Sequence, residues 1–280
     1  MRCFMRQVSW RSGKGYKQVD IMPIPTEGIH RGARGKRRHA SSLVQQRLNG
    51  KHSRRYLVQL VNANFGAGDW LLTLTYAPEY LPASFEEACR RMENFIDRLR
   101  EALLRKMDTD DATRKRLLNP APAYIWVTEG GTEEAEAAGK AKRYHHHAFL
   151  RCALDARAIT ELWCTGRGRH RRPMGRVHMS LAQPEKGSLE EWADYCVKTK
   201  HCRRKWRQSI GLKKPVVTVN DSKYTRRAIE RAVRTGEAYR PAFWEKAHPG
   251  WQCKSIRVEY NEYQRGYYVR LEFWRERNTP

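Results

Sequence analysis

A chain of 280 residues is long enough to bury one large core or two smaller ones. Its 55 lysines and arginines against 30 aspartates and glutamates leave a formal charge of +25, which attracts polyanions and makes nucleic acid the expected partner. No eighteen-residue apolar span is present, which argues against a membrane role, and residues 1–17 hold neither a continuous apolar segment nor a small-residue cleavage site, so the expected location is the cytoplasm.

Residues 1–55 are rich in Arg, Lys, Gly and Ser, with Arg31, Arg34, Lys36, Arg37 and Arg38 in one short run without apolar periodicity, and this predicts a flexible basic arm. Trp70 to Tyr76 follows a Gly-Ala-Gly-Asp turn and stops at Ala77-Pro78, as a strand does. From Ser84 to Lys106, Phe85, Ala88, Met92, Phe95, Leu99 and Leu103 recur at helical spacing behind a capping box of Ser84 and Glu87. Asn119-Pro-Ala-Pro122 breaks the chain before a second strand, Tyr124 to Glu129, closed by Gly130-Gly131. A polar loop leads into a third strand, Tyr144 to Cys152, then a short helix from Leu154 to Cys164, a basic loop from Gly166 to Pro173, and a fourth strand from Val177 to Leu181. Ser188 and Glu191 then cap a further helix.

The order strand, helix, strand, strand, helix, strand, helix predicts an α+β fold, a ferredoxin- or RRM-like antiparallel sheet with helices on one face. Residues 201–214 are strongly basic, Tyr224 to Arg234 has helical character, and Ser255–Tyr260 with Tyr267–Trp274 reads as a late hairpin. The expected division is an arm over 1–55, a central domain over 56–215 and a C-terminal helix and β-hairpin extension over 216–280.

The candidate chemistry lies in two places. In a strand, His145 and His147 share a face while His146 points to the other, and two imidazoles on one face are half a metal site. The preceding strand ends in Glu129, which a hairpin would bring to the same edge. Two nitrogens and a carboxylate suit Mn²⁺ or Mg²⁺ better than structural zinc, with zinc as the alternative. Against this stands the plainer reading of a surface or core histidine cluster. Farther along, Tyr195 and Lys198 sit one helical turn apart. A tyrosine hydroxyl near pKa ~10 is a poor nucleophile unless a positive charge helps it lose its proton, and Lys198 would supply that charge. The plainer reading of Tyr195 is a half-buried aromatic. The basic stretches carrying Arg167, Arg169 and Arg171, and Arg203, Arg204, Lys205 and Trp206, are read as phosphate or single-strand contacts rather than solvated faces. Seven cysteines without a CxxC pair argue against a disulfide framework and against a zinc ribbon. No phosphate-binding Gly-x-x-x-x-Gly-Lys-Ser/Thr loop is present, so unwinding would need another protein.

Taken in order, Leu71-Leu-Thr-Leu-Thr-Tyr76, His145-His-His147-Ala-Phe-Leu150 and Tyr195-Cys-Val-Lys198 resemble the three motifs of rolling-circle replication initiators of the HUH endonuclease superfamily, as found in small phages and plasmids. Trp206 to Pro215 resembles the sequence that follows the tyrosine helix in such members, so the resemblance spans roughly residues 57–215. It implies an HUH endonuclease domain over 56–215. His145 and His147, with Glu129 as the variable third member, would hold a divalent metal. Tyr195 would attack a DNA phosphate, leaving a 5′-phosphotyrosine and a free 3′-hydroxyl. The implied partners are single-stranded origin DNA, a host helicase and a DNA polymerase in the cytoplasm of a bacterial host. Conjugative relaxases place their tyrosine before the histidines, so the order here favours an initiator of the single-tyrosine class. The alternatives are a single-tyrosine HUH transposase, and a nonenzymatic RNA- or DNA-binding protein whose histidines and tyrosine are structural.

Overall fold

A computed structural model describes residues 3–26, 43–106, 122–131, 143–184, 189–195, 206–262 and 264–275. The fold is α+β with antiparallel sheets, divided into two units: residues 1–64 with 213–280, and residues 65–212. No helix among the described residues is long and apolar enough to cross a membrane.

The first unit begins with a hairpin, β1 (Cys3–Ser12) and β2 (Tyr16–Pro25), followed by helix α1 (Leu43–Asn64). The hairpin turn is pressed against α1: Gly13 has φ +62°, and a Cβ there would lie 2.9 Å from the Asn62 carbonyl oxygen, so both conformation and space require glycine. The far end of the chain supplies β10 (Val216–Asn220), α5 (Arg226–Arg234), α6 (Pro241–Ala247), β11 (Gln252–Asn261) and β12 (Gly266–Trp274). These join the hairpin in one sheet of order β10-β1-β2-β12-β11. Met5, Val19, Ile21, Val269, Leu271 and Phe273 form its apolar core with Ile229, Ala232, Ala238 and Trp244.

On the opposite face, buried polar side chains meet α1. Asp20 accepts from Arg55 Nη1 at 2.5 Å and Nη2 at 2.9 Å, from the Tyr268 hydroxyl at 2.5 Å and from Arg270 Nε at 3.3 Å. Gln18 Oε1 accepts from Arg55 Nε and from Gln59 Nε2. Two guanidiniums around one carboxylate compensate its burial, which an unpaired charge could not survive.

This corrects the expected arm and extension. Residues 3–25 are paired strands, and 213–275 belong to the same unit. The misreading has a physical cause: the inward positions of the hairpin include Gln7, Ser9, Gln18 and Asp20, so apolar alternation is interrupted although these residues are buried. The run Arg31 to Arg38 lies outside the described residues.

The second unit contains β3 (Trp70–Thr75), α2 (Phe85–Lys106), β4 (Ala123–Glu129), β5 (His145–Arg151), α3 (Ala156–Leu162) and the short pair β6 (Cys164–Thr165) and β7 (Arg172–Pro173). β8 (Val177–Leu181), α4 (Glu190–Tyr195) and β9 (Arg207–Gln208) complete it, and the main sheet runs β8-β3-β5-β4-β9, all antiparallel. Ser84 caps α2 as expected, with Glu87 N donating to Ser84 Oγ, while the Glu87 carboxylate reaches one residue farther back than a capping box does and accepts from Ala83 N. Asp155 caps α3 by accepting from Ala158 N.

One face of this sheet packs Leu72, Leu74, Trp126, Ala148 and Leu150 against α2 and α3 through Met92, Phe95, Leu99 and Ile159. Helix α4 touches the other face, so the helices of this unit do not all lie on one side as expected. The five described cysteines, Cys3, Cys89, Cys152, Cys164 and Cys253, are free thiols.

Candidate metal centre

Strand register builds the site. In β5 against β4, His145 lies opposite Glu129 and His147 opposite Val127. Against β3, His145 lies opposite Thr75 and His147 opposite Thr73. Residues directly opposite one another share a face, so Glu129, His145 and Thr75 form one row, and His147 and Thr73 the next. One ligand atom from each of Glu129, His145 and His147 lies within 4.8 Å of the others, and the group could hold a metal ion.

Hydrogen bonds orient the two rings. His145 Nδ1 donates to the Arg143 carbonyl at 3.0 Å, which leaves the lone pair of the neutral ring on Nε2, itself 3.5 Å from Glu129 Oε2. His147 Nδ1 is bonded to Thr73 Oγ1 at 3.0 Å, so His147 would ligate through Nε2. The donor set fits a cation: Glu129 Oε1 is buried without a hydrogen-bond partner. Burial first, and then the neighbouring His145, push His147 down to about 4, with Glu129 acting the other way, so this imidazole is neutral at physiological pH, the form that ligates.

His146 is part of the core. It is 0% exposed, with Nε2 2.6 Å from the Tyr76 hydroxyl and Nδ1 2.9 Å from Thr128 Oγ1, and its ring packs edge-on to Tyr76, Trp126 and Trp163. The alternation expected from the sequence therefore holds.

Helix α4 covers the metal face. Trp192 meets His147 edge-on at 5.4 Å and Phe149 at 5.3 Å, while Leu189 and Ala193 are buried. Tyr195 lies in this helix, three positions beyond Trp192. Lys198 lies outside the described residues, as do Arg203, Arg204 and Lys205.

The other expected contacts are not gathered at this centre. Arg167, Arg169 and Arg171 are exposed around a turn between β6 and β7, and Arg171 is tied to its own surroundings through Cys164 Sγ and the Glu161 carbonyl. Trp206 lines a groove with Tyr124, Trp126, Arg100 and Arg207, beside α2. Glu93 and Asp97 line it too, and Arg207 pairs with Glu93, which makes the groove a poor place for a phosphate.

A second groove borders the centre, with His145 in its wall beside Arg143, Tyr144, Thr75, Gly175 and Arg176. Arg143 and Arg176 were not singled out from the sequence, because both sit just before strands, in loops without a motif. Their signal is positional: Arg143 precedes the histidines by two residues, and the Arg176 carbonyl accepts from Thr75 N at 2.9 Å. Gly175 permits this approach, since a Cβ would lie 2.1 Å from the Thr75 carbonyl oxygen.

Comparisons with protein-family models, with curated proteins and with solved structures find no match to this chain.

Proposed function

We propose that this chain is a metal-dependent DNA endonuclease and strand transferase of the HUH type, which nicks and rejoins single-stranded origin DNA to start rolling-circle replication. The observation that carries the reading is the group Glu129, His145 and His147 on a sheet face covered by the helix that contains Tyr195. Two further features support it. The order β3-α2-β4-β5-α3-β8 with β8-β3-β5-β4 adjacency suits a ferredoxin- or RRM-like reading of the sheet. The charge of +25 suits a polyanionic substrate.

Glu129, His145 and His147 would hold Mn²⁺ or Mg²⁺, which when bound would polarise the scissile phosphate and offset the charge growing on its oxygens. Tyr195, three positions beyond Trp192 in its helix, would attack phosphorus. The tyrosyl oxygen–phosphorus bond forms as the bond to the 3′ oxygen breaks, and the proton lost by Tyr195 ends on that oxygen. The phosphodiester energy is kept in the 5′-phosphotyrosine, so the liberated 3′-hydroxyl can reverse the step. Lys198 would favour the ionised tyrosine. Thr73 and the Arg143 carbonyl keep both imidazoles oriented, and Arg143 and Arg176 offer charge to the strand entering beside His145.

The test is a labelled single-stranded origin fragment incubated with the protein and Mn²⁺, then denatured and run on a gel. A band that carries both protein and label, and that disappears with chelator and in Tyr195→Phe, is the expected outcome. Tight binding without any covalent band would favour a nonenzymatic nucleic-acid-binding protein.

A further inference from the structure

The first unit holds a second concentration of positive charge, remote in sequence from the metal centre. Arg11 and Lys17 lie directly opposite each other in β1 and β2, and Lys17 lies opposite Phe273 in β12. Like charges in a facing pair oppose each other. Lys17 is only 9% exposed, and its ammonium stands 4.6 Å from the Trp251 ring and 4.7 Å from the Phe273 ring. His248, 7% exposed, packs on Phe273 at 4.7 Å. Lys223 Nζ donates to the Ala247 carbonyl at 2.8 Å and stands 3.4 Å from His248 Nδ1. Arg275 stacks on Trp251 at 4.8 Å. The result is a basic cluster with Lys17 and His248 as its buried floor against Trp251 and Phe273, and with Arg11, Lys223 and Arg275 as its exposed rim.

Its hydrogen-bonding capacity is one-sided. A lysine can only donate, so His248 Nδ1 is the acceptor facing Lys223, and the proton of the neutral ring sits on Nε2. That Nε2 is buried with no hydrogen-bond partner. None of the five basic groups forms an ion pair with a carboxylate among the described residues. Burial first, then Lys223, Arg275 and Arg11, push Lys17 down to about 8, the cost of crowding cations without an anion.

We propose that this basic cluster binds a phosphate group, taken either from a nucleic-acid strand or from free phosphate or a nucleotide. An oxyanion would accept from Lys17 and Lys223, supplying the negative charge that the surroundings lack. Trp251 would offer an aromatic face beside that phosphate. This reading does not rest on the nuclease proposal, since no residue of the metal centre takes part.

The experiment uses the full chain and compares the wild type, the double variant Lys17→Met with Lys223→Gln, the rim variant Arg11→Gln, and Arg257→Gln as a control that removes one exposed charge from β11. Anisotropy of a labelled oligothymidylate is measured against salt, and thermal melting is followed with and without inorganic phosphate. Lys17→Met replaces an uncompensated buried cation by an apolar chain of similar length, so the fold should persist; Arg11→Gln repeats the comparison without touching the floor. If the phosphate comes from a strand, the double variant should bind the oligonucleotide about tenfold more weakly, and the slope of log affinity against log salt should fall by about 1.4, or roughly 0.7 for each lost contact. If it is free phosphate or a nucleotide, oligonucleotide binding should stay at the control level while inorganic phosphate raises the melting temperature of the wild type and not of the double variant. Equal behaviour of the double variant, the rim variant and the control in both assays would overturn the proposal.

Discussion

The indole of Trp192 meets the imidazole of His147 edge-on at 5.4 Å, which fastens the helix containing Tyr195 to the strand that carries the candidate metal ligands. Trp192→Ala should therefore uncouple the two halves of the site. Covalent adduct formation should fall at least about tenfold as Tyr195, the proposed nucleophile, loses its anchor, with a smaller change in Mn²⁺ affinity. Trp192→Phe, which restores an aromatic edge, should recover most of the activity. Equal losses of metal binding and cleavage in the alanine variant would mean that Trp192 supports the ligands rather than the helix.

The ligand assignment separates neighbours on one strand. His145→Ala and His147→Ala should each weaken Mn²⁺ binding by about a hundredfold or more, beyond what loss of an orienting partner costs. Glu129→Gln should do so less severely, because an amide oxygen still coordinates. Calorimetric titration of each variant with Mn²⁺ gives the ranking, and wild-type affinity in either alanine variant would require a different ligand set.

His146 should behave differently from both. It is buried and bonded to Tyr76 and Thr128, so it is a structural residue of the core rather than a ligand. His146→Leu removes two buried hydrogen bonds and should destabilise the second unit by about 2 kcal/mol, while the folded fraction keeps its metal affinity. Denaturant unfolding checks the first statement and metal titration at low temperature the second.

In the first unit, Asp20→Asn should cost about 3 kcal/mol, since it leaves Arg55 and Arg270 at a buried site without their shared counter-charge. The same loss should appear in a melt of the full chain. A neutral result would return residues 3–25 to the status of a dispensable arm.

The sequence made the second unit legible and, of the first, the helix over Arg226–Arg234 and the late hairpin, but it hid the N-terminal hairpin. β3 and β8 alternate apolar and polar side chains in part, β4 and β5 carry apolar runs between clear turns, and the register that follows brings Glu129 opposite His145 without further information. The hairpin of the first unit buries Gln18 and Asp20, and its logic is completed only by Arg55 and Gln59 on α1 and by Tyr268 and Arg270 at the far end of the chain. No local window contains those partners. Arg143 and Arg176 stayed hidden for a similar reason: their position beside His145 depends on loop closure, not on periodicity.

The most direct test of the central claim is mass spectrometry of the protein after reaction with single-stranded origin DNA and Mn²⁺, followed by nuclease trimming and proteolysis. The account predicts one nucleotide-bearing peptide, with the adduct joined through a 5′ phosphate to Tyr195. An adduct on any other residue, or efficient cleavage that leaves no protein-linked DNA, would contradict it.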